Sequence, residues 1–577
     1  MLLGIDIGTT HTKAVVIDAA GREAAAATVA TPFAARGERV EMEVDALLAS
    51  VGDAIAALGK VRRRVVAVGL TGLVESGAPL DAGRRPLAPV IAWHDGRGTE
   101  AAARLEGAFG PDLALRIGQP VSSKLTAAKL GWLVAHGMEG MERWLGVPEL
   151  VLHSLTGAEA IECSQATRTG CYDVAARRWM PEVAQALGFS AGAFAPVRPA
   201  GAAMGRVSAA AAGWTGLPAG APVTVAGHDH LVGMTGAGAG AGAGQFGNSV
   251  GTAETVVARL PGRPDMARAR ELGLAVTLYP GGAGWAALAS VVRAGVVLAT
   301  AAGALGEPPG DLDRRAAAAL EQPGAPAPID LPRAKAAAHR EQPGAPAPID
   351  LPRAKAAAHR ERPGAPAPID LPRAKAAAHG EPPASLDRGA AAALEQPGAP
   401  APIDLPRAKA AAHRERPGAP ATIDLAPAKA AAHREQPGAP APIDLARAAA
   451  AAHREQPGAP APIDLARAAA AAVDGLARGD AAGMPGGDAG AVWAALLDAL
   501  AARTAAACDR LTALAGAPAG MVVFGGGSVS EPWLQAKARR LPLPVRRAPA
   551  GSAAAARGAA LWAGVAAGLW PSADAGA

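Results

Sequence analysis

The string Val225–Gly233 places an acidic residue, Asp229, directly after a predicted strand and between two histidines. A carboxylate at the edge of a sheet can take a proton from a hydroxyl group that is held within hydrogen-bond distance. We therefore predict that Asp229 acts as a general base. The alternative is that Asp229 only caps the helix that follows, as an aspartate at such a position commonly does.

Three glycine-containing turns that follow predicted strands are candidates for binding phosphate groups. In Gly4–Lys13, Asp6 precedes a Gly-Thr turn and could hold a cation or a water beside it; the other turns lie in Gly247–Ala253 and Val523–Ser530. Such turns can aim backbone N–H groups at an anion, because glycine lets the backbone approach a ligand closely. We predict that the second turn binds a terminal phosphate and the third a nucleoside. The alternative for the first turn is a hairpin whose glycine and threonines serve only the turn geometry.

The elements that would carry these groups alternate between strand and helix. Strands are predicted at Leu2–Ile7, Ala14–Ile17, Val65–Thr71, Val223–Ala226, Phe246–Val257 (two strands around a Gly-Thr turn) and Met521–Phe524, and helices at Val44–Leu58 and Val492–Ala515. This order predicts two α/β domains of similar plan, with the active groups in the cleft between them. The Gly-Ala alternation at 236–244 is predicted to be a flexible connector. The sequence has no Gly-x-x-x-x-Gly-Lys-Ser/Thr string, which disfavours a P-loop enzyme.

Length and composition limit the classes of protein that fit. A chain of 577 residues needs two or more cores. Its three cysteines follow no metal or disulfide spacing, so a reducing, cytoplasmic location is expected. The first apolar run contains Asp6 and has no basic leader, and no uncharged apolar run reaches the roughly 20 residues of a membrane helix; neither a signal peptide nor a membrane partner is expected. The net charge of +5 comes without a clustered basic face or interleaved aromatic residues, so nucleic acid is not an expected partner.

Seven copies of a twenty-residue unit, first seen at Glu321–Arg340, fill 321–380 and 395–474. Each unit offers little apolar surface beyond residues such as Ile329 and Leu331, whereas solenoid repeats must bury a shared apolar face. We predict a poorly packed insertion that is partly helical or disordered. Its histidines recur only at the spacing of the unit, so they are not expected to form a metal site.

The order of these motifs resembles the FGGY family of carbohydrate kinases, which belong to the actin-like ATPase superfamily. The matching stretches are Gly4–Lys13, Gly69–Gly77, Pro89–Arg97, Leu155–Trp179, Gly227–Gly240, Gly251–Glu254, Phe524–Trp533 and Arg557–Leu561. The resemblance covers about 1–305 and 485–565. It implies an α/β fold in which two RNase H-like domains flank a cleft. The N-terminal domain, 1–244, would carry the sugar site and the catalytic base; the C-terminal domain, 245–577, would bind the nucleotide and be interrupted by a low-complexity repeat insertion at 307–474.

The same resemblance implies transfer of the γ-phosphoryl group of ATP, with Mg²⁺, to a hydroxyl of a sugar, ketose or polyol. Such a reaction depends on positioning and charge neutralisation more than on covalent chemistry. Asp229 would accept the substrate proton, and Asp6 would hold the Mg²⁺ shell. The nucleotide would contact Thr9, Thr10 and Lys13 through its phosphates, Gly251 and Thr252 through its terminal phosphate, and Gly525, Gly526, Gly527 and Ser528 through its nucleoside. The alternative for Lys13 is a solvated lysine after a turn.

Sugar contacts are expected from Glu75, Trp93, Asp95 and His228. Carboxylates accept paired hydrogen bonds from sugar hydroxyls, and an indole can cover an apolar sugar face. The alternative is an ion pair between Asp95 and Arg97, together with a partly buried core tryptophan. The sugar itself is left open, because Glu75 stands where several pentulose kinases carry a different polar residue. The expected partner is a small-molecule sugar or polyol, and a homodimer is allowed.

The chain departs from the family between about 306 and 485. There the resemblance predicts a stretch like Gly-Glu-Arg-x-Pro that opens the second sheet, and only repeats are found. The alternative function is therefore a degenerate relative that binds a nucleotide or a partner without turnover. A third interpretation is another actin-like ATPase that acts on a protein client.

Overall fold

The computed structural model of the chain describes residues 1–36, 39–138, 140–240, 244–321 and 462–576. All of these residues belong to one compact unit. Most of the predicted repeat insertion lies outside these ranges.

The strands are β1 (Leu2–Ile7), β2 (His11–Ile17), β3 (Glu23–Ala30), β4 (Ala34–Arg36), β5 (Arg39–Met42), β6 (Ala67–Gly72), β7 (Gly77–Leu80), β8 (Val90–Ile91), β9 (Arg143–Gly146), β10 (Ile161–Glu162), β11 (Tyr172–Asp173), β12 (Arg178–Trp179), β13 (Val197–Arg198), β14 (Gly205–Arg206), β15 (Pro222–His228), β16 (Gln245–Val250), β17 (Glu254–Leu260), β18 (Ala275–Leu278), β19 (Trp285–Val292), β20 (Gly520–Phe524) and β21 (Val545–Arg547).

The α-helices are α1 (Val44–Ala57), α2 (Thr99–Phe109), α3 (Pro111–Ile117), α4 (Thr126–Ala135), α5 (Val147–Thr156), α6 (Cys163–Ala166), α7 (Pro181–Ala186), α8 (Ala209–Thr215), α9 (Asp229–Gly236), α10 (Met266–Glu271), α11 (Ala294–Leu305), α12 (Pro309–Glu321), α13 (Pro462–Ala477), α14 (Ala489–Ala515), α15 (Glu531–Arg540) and α16 (Ala554–Ala566). Short 3₁₀ helices lie at Gly59–Arg64, Ala191–Ala193, Gly526–Val529, Gly551–Ala553 and Ala573–Gly576.

The first large sheet has the order β14-β15-β6-β1-β2-β3. Strands β1, β2 and β3 form an antiparallel meander, while β6 and β15 run parallel to β1. Strand β6 is buried along its whole length, and β1 is buried except at Asp6, as expected for strands that are covered on both faces. The apolar run Leu2–Ile7 thus forms a central strand with one carboxylate near its end.

The second large sheet repeats this plan in the order β18-β19-β17-β16-β20-β21. Strands β16, β17 and β19 are antiparallel neighbours, and β20 and β21 are parallel to β16. The predicted α/β fold with two similar domains is confirmed. In the part of the chain that the structure describes, every strand of this sheet comes from 245–292 or 520–547, so no strand from the divergent segment is needed to build it.

Helix α14 is the core helix of the second half. It packs against β17 and β19 and contacts α12, α13 and α15. By length and composition alone this helix could cross a membrane. Its apolar face is instead buried inside the fold, through Trp493, Leu496, Leu500 and Leu511 among others. The predicted long helix at Val492–Ala515 is confirmed, with its start at Ala489.

The predicted insertion ends in a packed helix rather than a loose one. Helix α13 covers most of the last repeat copy and contacts α11 and α14. Its Ala469, Val473 and Leu476 are fully buried. The prediction of poor packing is therefore wrong for this copy, because Val473 and Leu476 lie where the sequence leaves the repeat pattern and adds apolar residues. The other copies lie outside the described residues.

The C-terminal helix α16 lies on the first sheet. It contacts β1, β6, β15 and α9. The approach is so close that a Cβ on Gly4 would lie 1.8 Å from a carbonyl oxygen of α16, and one on Gly69 would lie 1.9 Å from another. A third contact of 1.9 Å involves Gly236 in α9. Small residues on both surfaces let this helix cover the sheet.

Candidate active site

The strand register of the first sheet brings two acidic residues to one edge. Asp6 in β1 pairs with Thr71 in β6, and Thr71 pairs with Gly227 in β15. Helix α9 begins at Asp229, two residues further along. Because parallel strands end at the same edge of a sheet, Asp6 and Asp229 face the same space.

These two carboxylates interact electrostatically. Burial, and next the charge of Asp229, raise the pKa of Asp6 to about 7, while Lys13 opposes the shift. Burial would also raise the pKa of Asp229, but His230 and His228 lower it to about 2. Asp229 therefore ionises while Asp6 is still protonated, so only Asp6 feels the repulsion within the pair. Two facing carboxylates in a covered position suit a divalent cation, which neutralises both.

Asp229 is held by the start of its own helix. Its Oδ1 accepts the backbone N–H of His230 at 2.8 Å and lies 3.0 Å from Nδ1 of His228. Among the described residues, the hydrogen bonds to this carboxylate fall on Oδ1, so Oδ2 has no protein donor. The side chain is 24% exposed. The N-cap of α9 is His228 and not Asp229, so the capping alternative does not describe Asp229, and its second oxygen stays available as a proton acceptor.

The structure revises the prediction for His228. Its side chain is 3% exposed, and its Nδ1 lies 3.0 Å from Oδ1 of Asp229 and 3.3 Å from the backbone N of His230. The imidazole therefore positions Asp229 and offers little surface to a sugar. For His230, burial lowers the pKa to about 4, so this ring is neutral at pH 7.

Two turns end the parallel strands of the second sheet. The turn predicted to bind a terminal phosphate (the phosphate turn, Gly251–Thr252) joins β16 to β17, and the turn predicted to bind the nucleoside (the nucleoside turn, Gly525–Gly527) follows β20. Neighbouring strands β16 and β20 are parallel, so both turns lie at one sheet edge. A Cβ on Gly526 would meet nothing within 4 Å, and one on Gly251 would meet only an oxygen 3.8 Å away. This open space above both turns is where a ligand could approach the backbone.

The remaining glycines of the nucleoside turn serve the backbone itself. Gly525 has a φ of 100°, and a Cβ there would lie 2.5 Å from the carbonyl oxygen of Val250. A Cβ on Gly527 would lie 2.5 Å from the ring of Trp533. Ser528 is fully buried, and its hydroxyl donates to the carbonyl of Gly525 at 2.7 Å. The prediction that Ser528 contacts the nucleoside is therefore revised, because its side chain closes the turn.

Side chains join the two sheet edges. Nδ1 of His230, next to Asp229, lies 2.9 Å from the hydroxyl of Ser249 in β16. Ser249 stands three residues before Thr252. Lys13 donates to the backbone carbonyl of Ser552, just before α16. This ammonium lies near Asp6 and links the first hairpin to the C-terminal segment through an exposed hydrogen bond, so the choice between a phosphate contact and a solvated lysine stays a prediction.

The turn after β1 contacts the loop at 92–98, which carries Trp93 and is called the tryptophan loop. The indole N–H of Trp93 donates to the hydroxyl of Thr9 at 3.3 Å, and Lys124 lies 5.7 Å from the centre of the Trp93 ring. Thr10 is exposed, and its carbonyl accepts the N–H of Thr31. Thr9, Thr10 and Trp93 therefore lie at the same edge of the first sheet as Asp6.

Asp95 takes the ion-pair alternative. Its side chain is fully buried and accepts from the Arg97 guanidinium at 2.7 and 2.8 Å and from the Val40 N–H at 2.8 Å. Arg97 also pairs with Glu41 at 2.7 Å. The predicted sugar contact of Asp95 is revised, since its oxygens are already occupied in holding the loop that carries Trp93.

Glu75 has a strained backbone and a charged partner. Its φ of 60° is uncommon for a residue with a side chain. Its carboxylate is 4% exposed and pairs with Arg168 at 2.8 Å. The cavity beside it, lined by Ser76, Glu149 and Gln165 among others, has a volume of about 20 Å³. That volume suits about one water and not a sugar, so a sugar would have to reach Glu75 from the cleft.

The residues that fix the strand leading to Asp229 were missed by the sequence reasoning. Gly227 has a φ of 114°, and its carbonyl accepts from the hydroxyl of Thr71 at 2.7 Å. The hydroxyl of Ser164 accepts the N–H of His228 at 2.9 Å and is itself bound by the buried Glu162. The stretch Leu155–Trp179 was recognised as a matching motif, but no pattern within it indicated that Glu162 and Ser164 support the end of β15.

Arg293 was also missed. It precedes α11, whose Gly295 packs under the phosphate turn, since a Cβ there would lie 2.5 Å from the carbonyl oxygen of Gly251. Its Nε is buried without a hydrogen-bond partner among the described residues. Burial, followed by the charge of Arg293, lowers the pKa of His94 to about 4. This places a cation from the second domain opposite the tryptophan loop of the first.

A model of the N-terminal domain of the FGGY family of carbohydrate kinases matches residues 1–236, and a model of the C-terminal domain of that family matches 423–567. The chain belongs to the FGGY family of carbohydrate kinases. The resemblance seen in the motif order is therefore confirmed.

Among curated proteins, the L-fuculokinase of Salmonella typhi is 31% identical over 268 residues, which are 45% of this chain and 56% of that protein. The xylulose kinase of Escherichia coli K12 is 29% identical over 247 residues, or 41% of this chain and 50% of that protein. The chain thus spans about half the length of the curated relatives it matches.

Solved structures of FGGY kinases share the fold. The xyloylose kinase of Brucella ovis matches with a TM-score of 0.64 and 21% identity, covering 98% of this chain and 90% of that one. The glycerol kinase of Plasmodium falciparum, solved with ADP, matches with a TM-score of 0.60 and 14% identity, covering 99% and 90%. At these identities the likeness shows a shared fold and no more.

Proposed function

We propose that this FGGY protein is an ATP-dependent carbohydrate kinase that transfers the γ-phosphoryl group to a hydroxyl of a sugar, ketose or polyol. The observation that carries the proposal is the contact of His230 with Ser249. It brings the Asp6–Asp229 pair to the strand end that leads into the phosphate turn. The reaction needs a proton acceptor, a cation site and a phosphate site within one cleft, and this contact supports the proposal that the three lie close together.

The second-domain turns suit a nucleotide. The phosphate turn and the nucleoside turn lie at the ends of neighbouring parallel strands, with open space above Gly251 and Gly526. We assign the terminal phosphate to the first turn and the nucleoside to the second. Mg²⁺, when bound, would neutralise phosphate charge, and Asp6 would hold its shell. Burial, and next the charge of Asp229, raise the pKa of Asp6, and a cation beside it would favour the ionised carboxylate; this supports the fit of Asp6 to the role.

Asp229 accepts the proton of the substrate hydroxyl while the hydroxyl oxygen attacks the γ-phosphorus. The bond between the γ-phosphorus and the bridging oxygen breaks, and that oxygen leaves with ADP. A pKa of about 2 keeps Asp229 anionic at neutral pH. Such a carboxylate is a weak base, which suits a loose transition state that needs little proton transfer until bond formation is advanced. His228 and the N–H of His230 orient the carboxylate, and they leave Oδ2 for the substrate.

Arg293 is proposed as a further phosphate contact. A guanidinium with a covered, unpartnered Nε is costly unless an anion joins it. Its position beside the phosphate turn points to a nucleotide phosphate. We also propose that the sugar contacts Glu75, which is paired with Arg168, and the ring of Trp93. The kinases that the chain resembles act on different sugars by name, so the acceptor is left at the level of a sugar or polyol.

The domain limits remain proposals of the same kind. We place the boundary between the sugar domain and the nucleotide domain at 244, which gives domains at 1–244 and 245–577. A homodimer and a cytoplasmic location also stay predictions.

The test is an ATP-consumption screen over ketoses, aldoses, polyols and sugar acids, with Asp229→Asn and Asp229→Ala beside the wild type. We expect turnover on at least one acceptor, lowered on the order of 10²- to 10⁴-fold in both variants. Asp53→Asn is the matched control, because Asp53 is an exposed aspartate on α1; it should have wild-type activity.

Other outcomes separate the competing functions. ATP binding without turnover on any acceptor would support the degenerate relative. ATP hydrolysis that no sugar alters would support an ATPase with a protein client. Full activity in Asp229→Ala would remove the proposed base.

A further inference from the structure

Four buried polar side chains form one network beneath the phosphate turn. Asn248 comes from β16, Glu254 from β17, Thr504 from α14 and Lys537 from α15, and none is more than 1% exposed. The Lys537 ammonium donates to Asn248 Oδ1 at 2.8 Å and to Thr504 Oγ1 at 3.2 Å. It also forms an ion pair with Glu254 Oε1. Asn248 Nδ2 and the Thr504 hydroxyl lie 3.1 and 2.8 Å from this same carboxylate oxygen.

The network reaches the supports of both turns. Asn248 and Glu254 flank the phosphate turn, three residues before its start and two residues after its end. On the other side, Lys537 Nζ lies 4.4 Å from the centre of the Trp533 ring. Gly527 of the nucleoside turn packs against that ring so closely that there is no room for a Cβ. The Lys537 ammonium thus contacts residues that support both the phosphate turn and the nucleoside turn.

Stability alone does not account for this network. Burial lowers the pKa of Lys537, against the pull of Glu254, so the charged pair carries a desolvation cost. Within the described residues, Glu254 Oε2 has no hydrogen-bond partner, which adds to that cost. Well-packed apolar side chains often replace a buried ion pair with no loss of stability. What these directional hydrogen bonds do supply is a fixed geometry between the elements that meet there.

We propose that Lys537 is a positioning residue that fixes the separation between the phosphate turn and the nucleoside turn. This inference rests on the proposed function, because it takes the two turns as the contacts for the two ends of one nucleotide. A ligand that engages both turns at once depends on their separation. A ligand that engages only one turn does not.

The test compares binding of ATP, adenosine and inorganic tripolyphosphate, each with Mg²⁺, by calorimetry on the full chain. Glu254→Gln/Lys537→Met keeps the size of both side chains and leaves no unpaired charge. We expect it to bind ATP on the order of 10- to 100-fold more weakly, with adenosine and tripolyphosphate changed by less than about twofold. Thr504→Val removes the hydrogen bonds of the Thr504 hydroxyl with Glu254 and Lys537 but keeps the ion pair, so it should show the same pattern with a smaller loss. It decides the question if the double variant does not fold.

Arg540→Met is the matched control on the same helix. It removes the ion pair of Arg540 with Asp498, which is more exposed than that of Lys537, and should leave all three affinities at the wild-type value. Equal losses for all three ligands, or an unchanged ATP affinity, would overturn the inference while leaving the proposed function in place. A wild-type protein that binds none of the three would overturn both.

Discussion

Asp6 should make the stability of the metal-free protein depend on pH. Its carboxyl has a pKa of about 7 in the folded chain, against 3.8 for an ordinary aspartate. Between these values the folded protein keeps a proton that the unfolded chain has lost. The free energy of unfolding therefore falls by about 1.4 kcal/mol for each pH unit as the pH rises through this interval, or about 4 kcal/mol in all. Above pH 7 no further loss from this group is expected.

The perturbation is Asp6→Asn, which imitates the protonated carboxyl at every pH. The measurement is urea denaturation in EDTA at pH 5, 6, 7 and 8, followed by tryptophan fluorescence. About two pH units separate pH 5 from the folded pKa of Asp6. The free energy of unfolding of Asp6→Asn, relative to that of the wild type, should therefore rise by about 3 kcal/mol between pH 5 and pH 8. Asp53→Asn should run parallel to the wild type.

A second variant tests the cause of the shift. Asp229→Asn removes the like charge, so the pKa of Asp6 should fall and the pH dependence should weaken, although burial will keep part of it. Added Mg²⁺ should stabilise the wild type more at pH 8 than at pH 6, since it binds the ionised carboxylate, and this difference should vanish in Asp6→Asn. A stability difference between Asp6→Asn and the wild type that stays constant from pH 5 to pH 8 would refute the reasoning.

Three further outcomes are expected. Gly4→Ala should destabilise the fold by about 1–3 kcal/mol or more in thermal denaturation, because its Cβ would overlap a carbonyl of α16; Gly107→Ala, on an open helix surface, should be neutral or slightly stabilising. Arg293→Met should raise the KM for ATP roughly tenfold, with Arg293→Lys intermediate and the KM for the sugar unchanged; an unchanged KM for ATP would remove this phosphate contact. Arg168→Met should raise the KM for the sugar by freeing Glu75, with ATP affinity intact by calorimetry; a matching loss of ATP affinity would show a general structural defect instead.

Much of the fold followed from local pattern. The apolar run Leu2–Ile7, its turn and the next run formed the expected antiparallel pair, and the long helix ending at Ala515 was located within three residues of its start. The acidic residues at strand ends were equally readable. Asp6 and Asp229 meet because parallel neighbouring strands deliver their last residues to one edge, and this follows from topology without side-chain detail.

Contacts between distant elements were beyond the sequence. Arg293 and Lys537 are ordinary basic residues in helix-forming surroundings, and only the packed fold shows that one lies opposite the tryptophan loop and the other under two turns. The same limit explains the revised assignments. Asp95 and His228 stand in motifs typical of a sugar site, yet each finds a nearer partner in its own loop or helix start, and this local bond leaves it buried.

Helix α16 has a consequence for synthesis. The glycine-lined face of β1 and β6 is complete once its strands have left the ribosome, but its cover is encoded about 480 residues later. At about 5–20 residues per second, the delay is roughly 24 s or more. During that time the apolar face that α16 covers stays exposed, and each added repeat copy lengthens the period of exposure. Chaperone demand should therefore grow with the number of repeats, even if the finished protein does not change.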